Sequence, residues 1–240
     1  MQVTLTIIRY PKRFILFAVL AMAVHRFPFW FNKQISFFKL MGCGKNGSFD
    51  KHPDWQQWGI FAVSNEATGI AGATDKDVIK LLYGPFISNW LRFFNCETWT
   101  IFLEPIEGRG CWDGKQPFGP FAKNTSYNGL VAVLTRATIR LSKLPAFWRN
   151  VNGVASQMAG ADGFITSIGI GEMPLIKQAT FSIWQSRDAM KQFAYQMHQH
   201  TEVIRKTRKE NWYSEDMFVR FKPVKTVGTI NGTDPLMGKI

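Results

Sequence analysis

The sequence predicts an α+β protein built from two similar halves, and three observations carry that expectation. Residues 4–9 (TLTIIR) match residues 131–136 (VAVLTR) at a shift of 127 positions, which also lays Arg13 on Arg140 and Phe37 on Phe164 without a gap. The same shift places Gly42-Cys43-Gly44 on Gly169-Ile170-Gly171, so a strand running into a Gly-x-Gly turn occurs twice, as expected where the chain needs glycine's freedom at positive φ. At a shift of 118, Gly110, Gly114, Pro117 and Phe118 fall on Gly228, Gly232, Pro235 and Leu236, and Pro105 on Pro223. Each half therefore closes on G-x-x-x-G-x-x-P. Between these blocks the shift is 120, aligning Phe61 with Phe181, because the first half carries a longer loop around residues 50–57. A unit of more than 100 residues is too long for a solenoid repeat and reads as a duplicated small domain. The expected division is 1–127 and 128–240.

Taken in order through the second half, the hydrophobic periodicity predicts a strand at 129–136, a helix at 145–158, strands at 164–169 and 178–184, a helix at 187–209 and a strand at 215–223. The apolar runs of the strands are short, and the helical segments repeat every three or four residues. This βαββαβ order is that of the ferredoxin-like unit. Helices cover one face of such a sheet, so two units can bury their other faces together. The expected architecture is two fused ferredoxin-like halves in a dimeric α+β barrel-like arrangement within one chain.

Composition narrows the class. At 240 residues and 46% hydrophobic, with 19% charged side chains, the chain can bury a proper core. Cys43, Cys96 and Cys111 are sparse and form no C-x-x-C pair, which favours a reducing compartment and gives no zinc signature. The net charge of +12 favours anionic partners, but no nucleic-acid recognition motif accompanies it. Residues 14–24 (FILFAVLAMAV) resemble a signal-peptide core and are too short to span a bilayer, which needs about 20 apolar residues. Their alignment with 141–151, in mid-chain, predicts a buried helix of the mature protein instead. The expectation is a cytoplasmic protein with no cleaved signal peptide and no transmembrane helix.

Few residues invite chemistry. Met190, Phe193, Met197, His200 and Ile204 follow steps of three and four and share one apolar helix stripe, so His200 faces inward. That position suits a metal or haem ligand and equally suits a core histidine satisfied by hydrogen bonds. The repeat puts no histidine at the matching place near residues 80–82. His25 ends the first helix and His52 sits in the longer loop of the first half; neither has ligand-spaced neighbours, and a structural role is expected for both. No nucleophile elbow, phosphate loop or dinucleotide fingerprint is present. Nine tryptophans, among them Trp30, Trp58, Trp148, Trp184 and Trp212, either line a wide apolar cavity or fill the core.

The segments PAFWRNV, SIGIGEMP, ATFSIWQS, HTEVIRKTR, NWYSEDMFVRF and, in the first half, EGRGCWDGKQPF resemble the spheroidene monooxygenase family of carotenoid oxygenases. The likeness is strongest over residues 128–223. It implies a haem-dependent enzyme that oxygenates C2 of an acyclic carotenoid to a ketone by two successive hydroxylations and loss of water, with dioxygen and reduced ferredoxin. His200 is then the iron's axial ligand. Arg149 and Arg208 are candidates for the haem propionates, since a guanidinium fork suits carboxylates, and Trp148, Trp184 and Trp212 for the pocket wall. The basic surface would steer an acidic ferredoxin or hold an anionic membrane face. Two other functions remain open: a haem-binding module without oxygenase activity, and a cofactor-free binder of an apolar ligand.

Overall fold

The computed structural model describes residues 1–45, 52–65, 75–121, 126–196, 207 and 210–240, with the backbone alone at 75–76, 151–156 and 195–196. The elements run β1 (Gln2–Arg9), α1 (Ile15–Val24), α2 (Arg26–Phe31), β2 (Ile35–Gly44), β3 (Pro53–Ser64), α3 (Asp75–Tyr83), α4 (Pro85–Phe93) and β4 (Glu97–Gly110). They continue as β5 (Val131–Ile139), α5 (Leu144–Ala159), β6 (Phe164–Met173), β7 (Lys177–Trp184), α6 (Arg187–Gln196) and β8 (Tyr213–Gly228). The protein is α+β, as expected. All six second-half elements occur where the periodicity puts them. The helix expected at 187–209 is described only to Gln196, and the remainder lies outside the described residues except for Thr207. Strand β8 runs past Pro223 to Gly228, whose φ of +82° ends it.

Contacts divide the chain into two compact units. The first comprises Met1–Gly42, Asp54–Glu104 and Pro223–Ile240. Here β1 pairs antiparallel with β3 (Leu5 opposite Phe61) and with β4 (Leu5 opposite Ile101), and β2 lies beside β3. Val3, Leu5 and Ile7 on one face of β1 and Thr4, Thr6 and Ile8 on the other are all buried, the mark of a strand covered on both sides. The helices cover the second face. Ile8, Ala18, Ala21, Phe29, Leu82 and Ile87 belong to one core cluster, and the Tyr83 hydroxyl reaches Thr6 Oγ1 at 2.7 Å, which in turn meets Thr100 Oγ1 at 2.8 Å. A buried hydroxyl chain of this kind satisfies its own polar atoms.

The first helix departs from expectation. Only Ala18 and Ala21 of α1 are buried, while Leu16, Phe17, Val19 and Leu20 are exposed. A helix apolar on every side gives no sequence cue to its inner face, and small alanines let it lie close to the sheet. The helical stretch Lys12–Phe31 is also long and apolar enough, by length and composition alone, to cross a membrane.

The second unit comprises Cys43–Pro53 and Pro105–Lys222. Strand β5 pairs antiparallel with β7 (Leu134 opposite Phe181) and β8 (Leu134 opposite Val219), and β6 with β7 (Ile168 opposite Phe181). Helix α5 starts with Pro145 in its first turn, where a missing N–H costs nothing. Met190 of α6 packs on Val131, Val133 and Trp184, and Phe147 of α5 packs on Ile139 and Trp212. Each unit is thus completed by a segment distant in sequence. Residues of the final segment, Val227 and Leu236 among them, are buried, and Asp234 accepts the Trp99 indole N–H at 2.8 Å.

Candidate functional site

Three arrangements among the described residues have chemical character. The first is in the first unit, where α1 meets α2. His25 is 3% exposed, its ring edge-on to Trp90 with centroids 5.4 Å apart, and its Nε2 has no hydrogen-bond partner. Burial alone lowers its pKa to about 4, so the imidazole is neutral at pH 7. It joins Ile8, Tyr10, Met22, Leu40 and Trp58 around a cavity of about 10 Å³, room for about one water. Tyr10 Oη accepts the Trp90 indole N–H at 3.0 Å. Burial raises the Tyr10 phenol and pushes the Cys96 thiol up to about 12, so neither supplies an anion at neutral pH. His25 closes α1, where the sequence puts it, but it is not a plain structural-loop residue: Ala18, Ala21, His25 and Phe29 are the buried stripe of the α1–α2 stretch.

The second arrangement is an ion cluster in the second unit. Arg136, at the C-terminal part of β5, is 1% exposed and pairs with Glu215, with Asp113 at 3.3 Å and with Glu172 at 3.7 Å. Its guanidinium stands over the Trp112 ring, and Trp112 Nε1 donates to Glu172 Oε1 at 2.6 Å. Burial raises the Glu215 carboxyl, but the Gly114 and Asp113 N–H groups and the Arg136 guanidinium outweigh it and hold the pKa below its ordinary value. The repeat alignment puts Arg136 on Arg9, which pairs with Asp54 at 3.1 Å. Sequence reasoning aligned this arginine without recognising its cluster, because its carboxylate partners are distant in the chain.

The third is the α5–α6 side of the second unit, where the sequence places its site. His200 and Arg208 lie outside the described residues. Arg149 is exposed on α5. Trp184 is buried between Phe164 and Phe193, with its indole N–H on Ser182 Oγ at 3.0 Å. Trp212 is buried with Phe147, its indole N–H on Glu210 at 2.8 Å. Half-buried Trp148 packs against the same cluster and donates to the Leu175 carbonyl at 3.2 Å. Structure therefore brings Trp148 and Trp212 together and places Trp184 in a separate apolar cluster. Trp30, by contrast, is 63% exposed.

These residues test for haem unequally. The His25 cavity has an orphaned imidazole nitrogen but is far too small for a macrocycle. The cluster of Phe164, Trp184, Met190 and Phe193 is apolar, as a porphyrin's surroundings are, but it is packed together as core, and the proposed ligand, His200, lies outside the described residues. Among the described residues, no group of three or more His, Cys, Asp or Glu side chains is placed to hold a metal ion.

In fold, the chain is of the α+β class found in aldoxime dehydratases. One such structure, in complex with butyraldoxime, matches all of this chain and 85% of its own at a TM-score of 0.61 and 8% identity. A second matches all of this chain and 87% of its own at 0.57 and 8%. Identities so low show the shared fold alone. Sequence relatives go further. The chain is 32% identical to the spheroidene monooxygenase of Cereibacter sphaeroides over 98% of this chain and 70% of that one. It is 33% identical to that of Rhodobacter capsulatus over 91% and 88%, and 31% identical to that of Rubrivivax gelatinosus over 82% and 72%. No family model matches the chain. The protein belongs to the spheroidene monooxygenase family and is an oxidoreductase of the monooxygenase class.

Proposed function

We propose that this monooxygenase is haem-dependent and acts on a carotenoid or a similar apolar polyene, oxygenating C2 to a ketone. The observation that carries the proposal is identity of 31–33% to three spheroidene monooxygenases over most of the chain. Bound haem would supply the activation of dioxygen. In this proposal His200 would ligate the haem iron, Arg149 and Arg208 would hold the propionates, and Trp148, Trp184 and Trp212 would bound the substrate pocket, excluding water and orienting the chain of the polyene. Each hydroxylation consumes one dioxygen, two electrons and two protons, places one oxygen atom on the carbon and releases the other as water. The second leaves a geminal diol that loses a further water to give the ketone. Reduced ferredoxin is the proposed electron donor, and a net charge of +12 supports steering of an acidic donor and contact with an anionic membrane face.

The proposal extends to the architecture. In this reading the chain is two fused ferredoxin-like halves, 1–127 and 128–240. Strand orders β4-β1-β3-β2 and β8-β5-β7-β6, each outer-to-outer order being that of a βαββαβ sheet, support this.

The test is an absorption spectrum of the protein from haem-replete cells beside His200→Ala, followed by turnover of an acyclic carotenoid with reductant and ferredoxin. A Soret band lost or shifted in the variant, with ketone formed only by the wild type, is the expected result. A chromophore without product would make the protein a haem-binding module. No band in either protein would refute the haem assignment.

A further inference from the structure

We propose that the outer face of α1, α2 and α4 is a membrane-docking surface that seats the enzyme on a bilayer containing anionic lipid. The inference deepens the membrane-contact part of the proposed function by giving it a place, and it holds or fails independently of haem.

The α1–α2 stretch has two opposite stripes. Ala18, Ala21, His25 and Phe29, three or four residues apart, face the core and are buried. Leu16, Leu20, Ala23, Phe27 and Trp30 follow the same spacing and are exposed, Leu16 at 77% and Trp30 at 63%. Phe31, at 81%, ends the stretch. Helix α4 lies alongside, its end marked by Phe94, which stacks on Phe17 at 4.6 Å, while His25 meets Phe86 and Trp90. It adds Phe93, 80% exposed. So many large apolar side chains in one area form a patch that soluble surfaces rarely leave uncovered.

Charge selects the occupant. Every charged residue among the first 49 is basic: Arg9, Lys12, Arg13, Arg26, Lys33, Lys39 and Lys45. Lys12, Arg13, Arg26 and Lys33 are exposed beside the apolar stripe, and Arg92 precedes Phe93 on α4. An apolar helix face with aromatic residues and a basic border is the pattern of a helix lying in the bilayer interface, where each cation near an anionic leaflet adds attraction. A second copy of the chain would oppose these cations to their like. A spanning arrangement would pull Ala18, Ala21 and Phe29 from the core and expose the strands they cover.

The experiment is flotation of the purified holoprotein with vesicles of phosphatidylcholine, alone or mixed with phosphatidylglycerol, beside Leu20→Glu, Trp30→Glu and the double variant Lys12→Glu/Arg13→Glu. These positions are exposed, so far-ultraviolet circular dichroism should be unchanged. The expected result is salt-sensitive binding to the phosphatidylglycerol vesicles that falls about tenfold or more in each variant. Binding unaffected by Leu20→Glu and Trp30→Glu would overturn the proposal, as would no binding at all. Concentration-dependent dimerisation abolished by Trp30→Glu, without flotation, would overturn it in favour of self-association. Resistance to alkaline extraction from cell membranes would overturn it in favour of a spanning segment. None of these results depends on the Soret band or on turnover.

Discussion

Glu215 and Glu97, 118 positions apart, hold matching turns. Glu215 accepts the Asp113 and Gly114 N–H groups at 3.0 and 2.7 Å, and Glu97 accepts those of Asn231 and Gly232 at 2.9 and 2.6 Å. The turns agree in backbone: Gly110 and Gly228 have φ of +87° and +82°, and Asp113 and Asn231 have +51° and +54°. Each is closed by a small bridge, Trp112 with Lys115 and Ile230 with Thr233. The closing motif of each half thus docks on a glutamate contributed by the other half of the sequence. Replacing Glu97 by alanine leaves those donors without their charged acceptor and should cost about 1–3 kcal/mol. Urea unfolding measures it, and an unchanged midpoint would show that the turn holds without the carboxylate.

Truncation before Thr226 is the larger version of the same test. It removes Asp234 from Trp99 and Leu236 from the core, so a Tm lowered by many degrees is expected. A Tm equal to that of the full chain would mean that the final segment contributes nothing to the first unit.

The paired glycines should differ in a defined way. A Cβ on Gly110 would run into the Asp216 carbonyl oxygen, and one on Gly228 into that of Thr98, whereas Gly114 and Gly232 have open space. Alanine at Gly114 or Gly232 should therefore cost only the left-handed backbone penalty, about 1–2 kcal/mol. At Gly110 or Gly228 the clash adds to it, and the loss should be clearly greater. Equal Tm shifts at all four positions would contradict the close approach.

Arg136 is the buried cation that Glu215, Asp113 and Glu172 share. Arg136→Met would leave Glu215 and Glu172 part-buried without their guanidinium, with Asp113 still paired to Lys177 at 2.7 Å, a loss of up to about 3–5 kcal/mol. Because the folded pKa of Glu215 is depressed, its contribution is present above the unfolded value of about 4.3 and is lost as the pH falls through the lower folded value. In Arg136→Met that acid-side loss should shrink. Identical acid-unfolding profiles would exclude the pair as its source.

The duplicated glycine pattern and the strand periodicities were legible in the sequence because they are local: a positive φ needs glycine, and alternation follows the pleat. The inner stripe of α6 was legible for the same reason, and Met190 and Phe193 do pack on Trp184. Two features were not. The outward face of α1 escaped because Leu16 and Leu20 are as apolar as any core residue, and only neighbouring elements determine which side is covered. The carboxylates around Arg136 come from positions 113, 172 and 215, and no spacing rule joins residues that only the sheet brings together.

His25 makes the last prediction. With burial lowering its pKa to about 4 from the ordinary 6.5, the unfolded chain binds the proton more readily than the native protein does. The contribution of neutral His25 is therefore complete above about pH 6.5 and is lost as the pH falls toward and below 4, amounting to about 3 kcal/mol once both states are protonated. Tyr10 and Cys96, packed nearby, stay protonated throughout this range, so they add nothing to the slope. In His25→Leu the buried imidazole is gone, and the dependence of unfolding free energy on pH between 6.5 and 4 should flatten by about that amount. Chemical denaturation at several pH values reads it directly. Parallel curves for the two proteins would mean that the imidazole reaches water or a partner before the chain unfolds, and that the His25 cavity opens in solution.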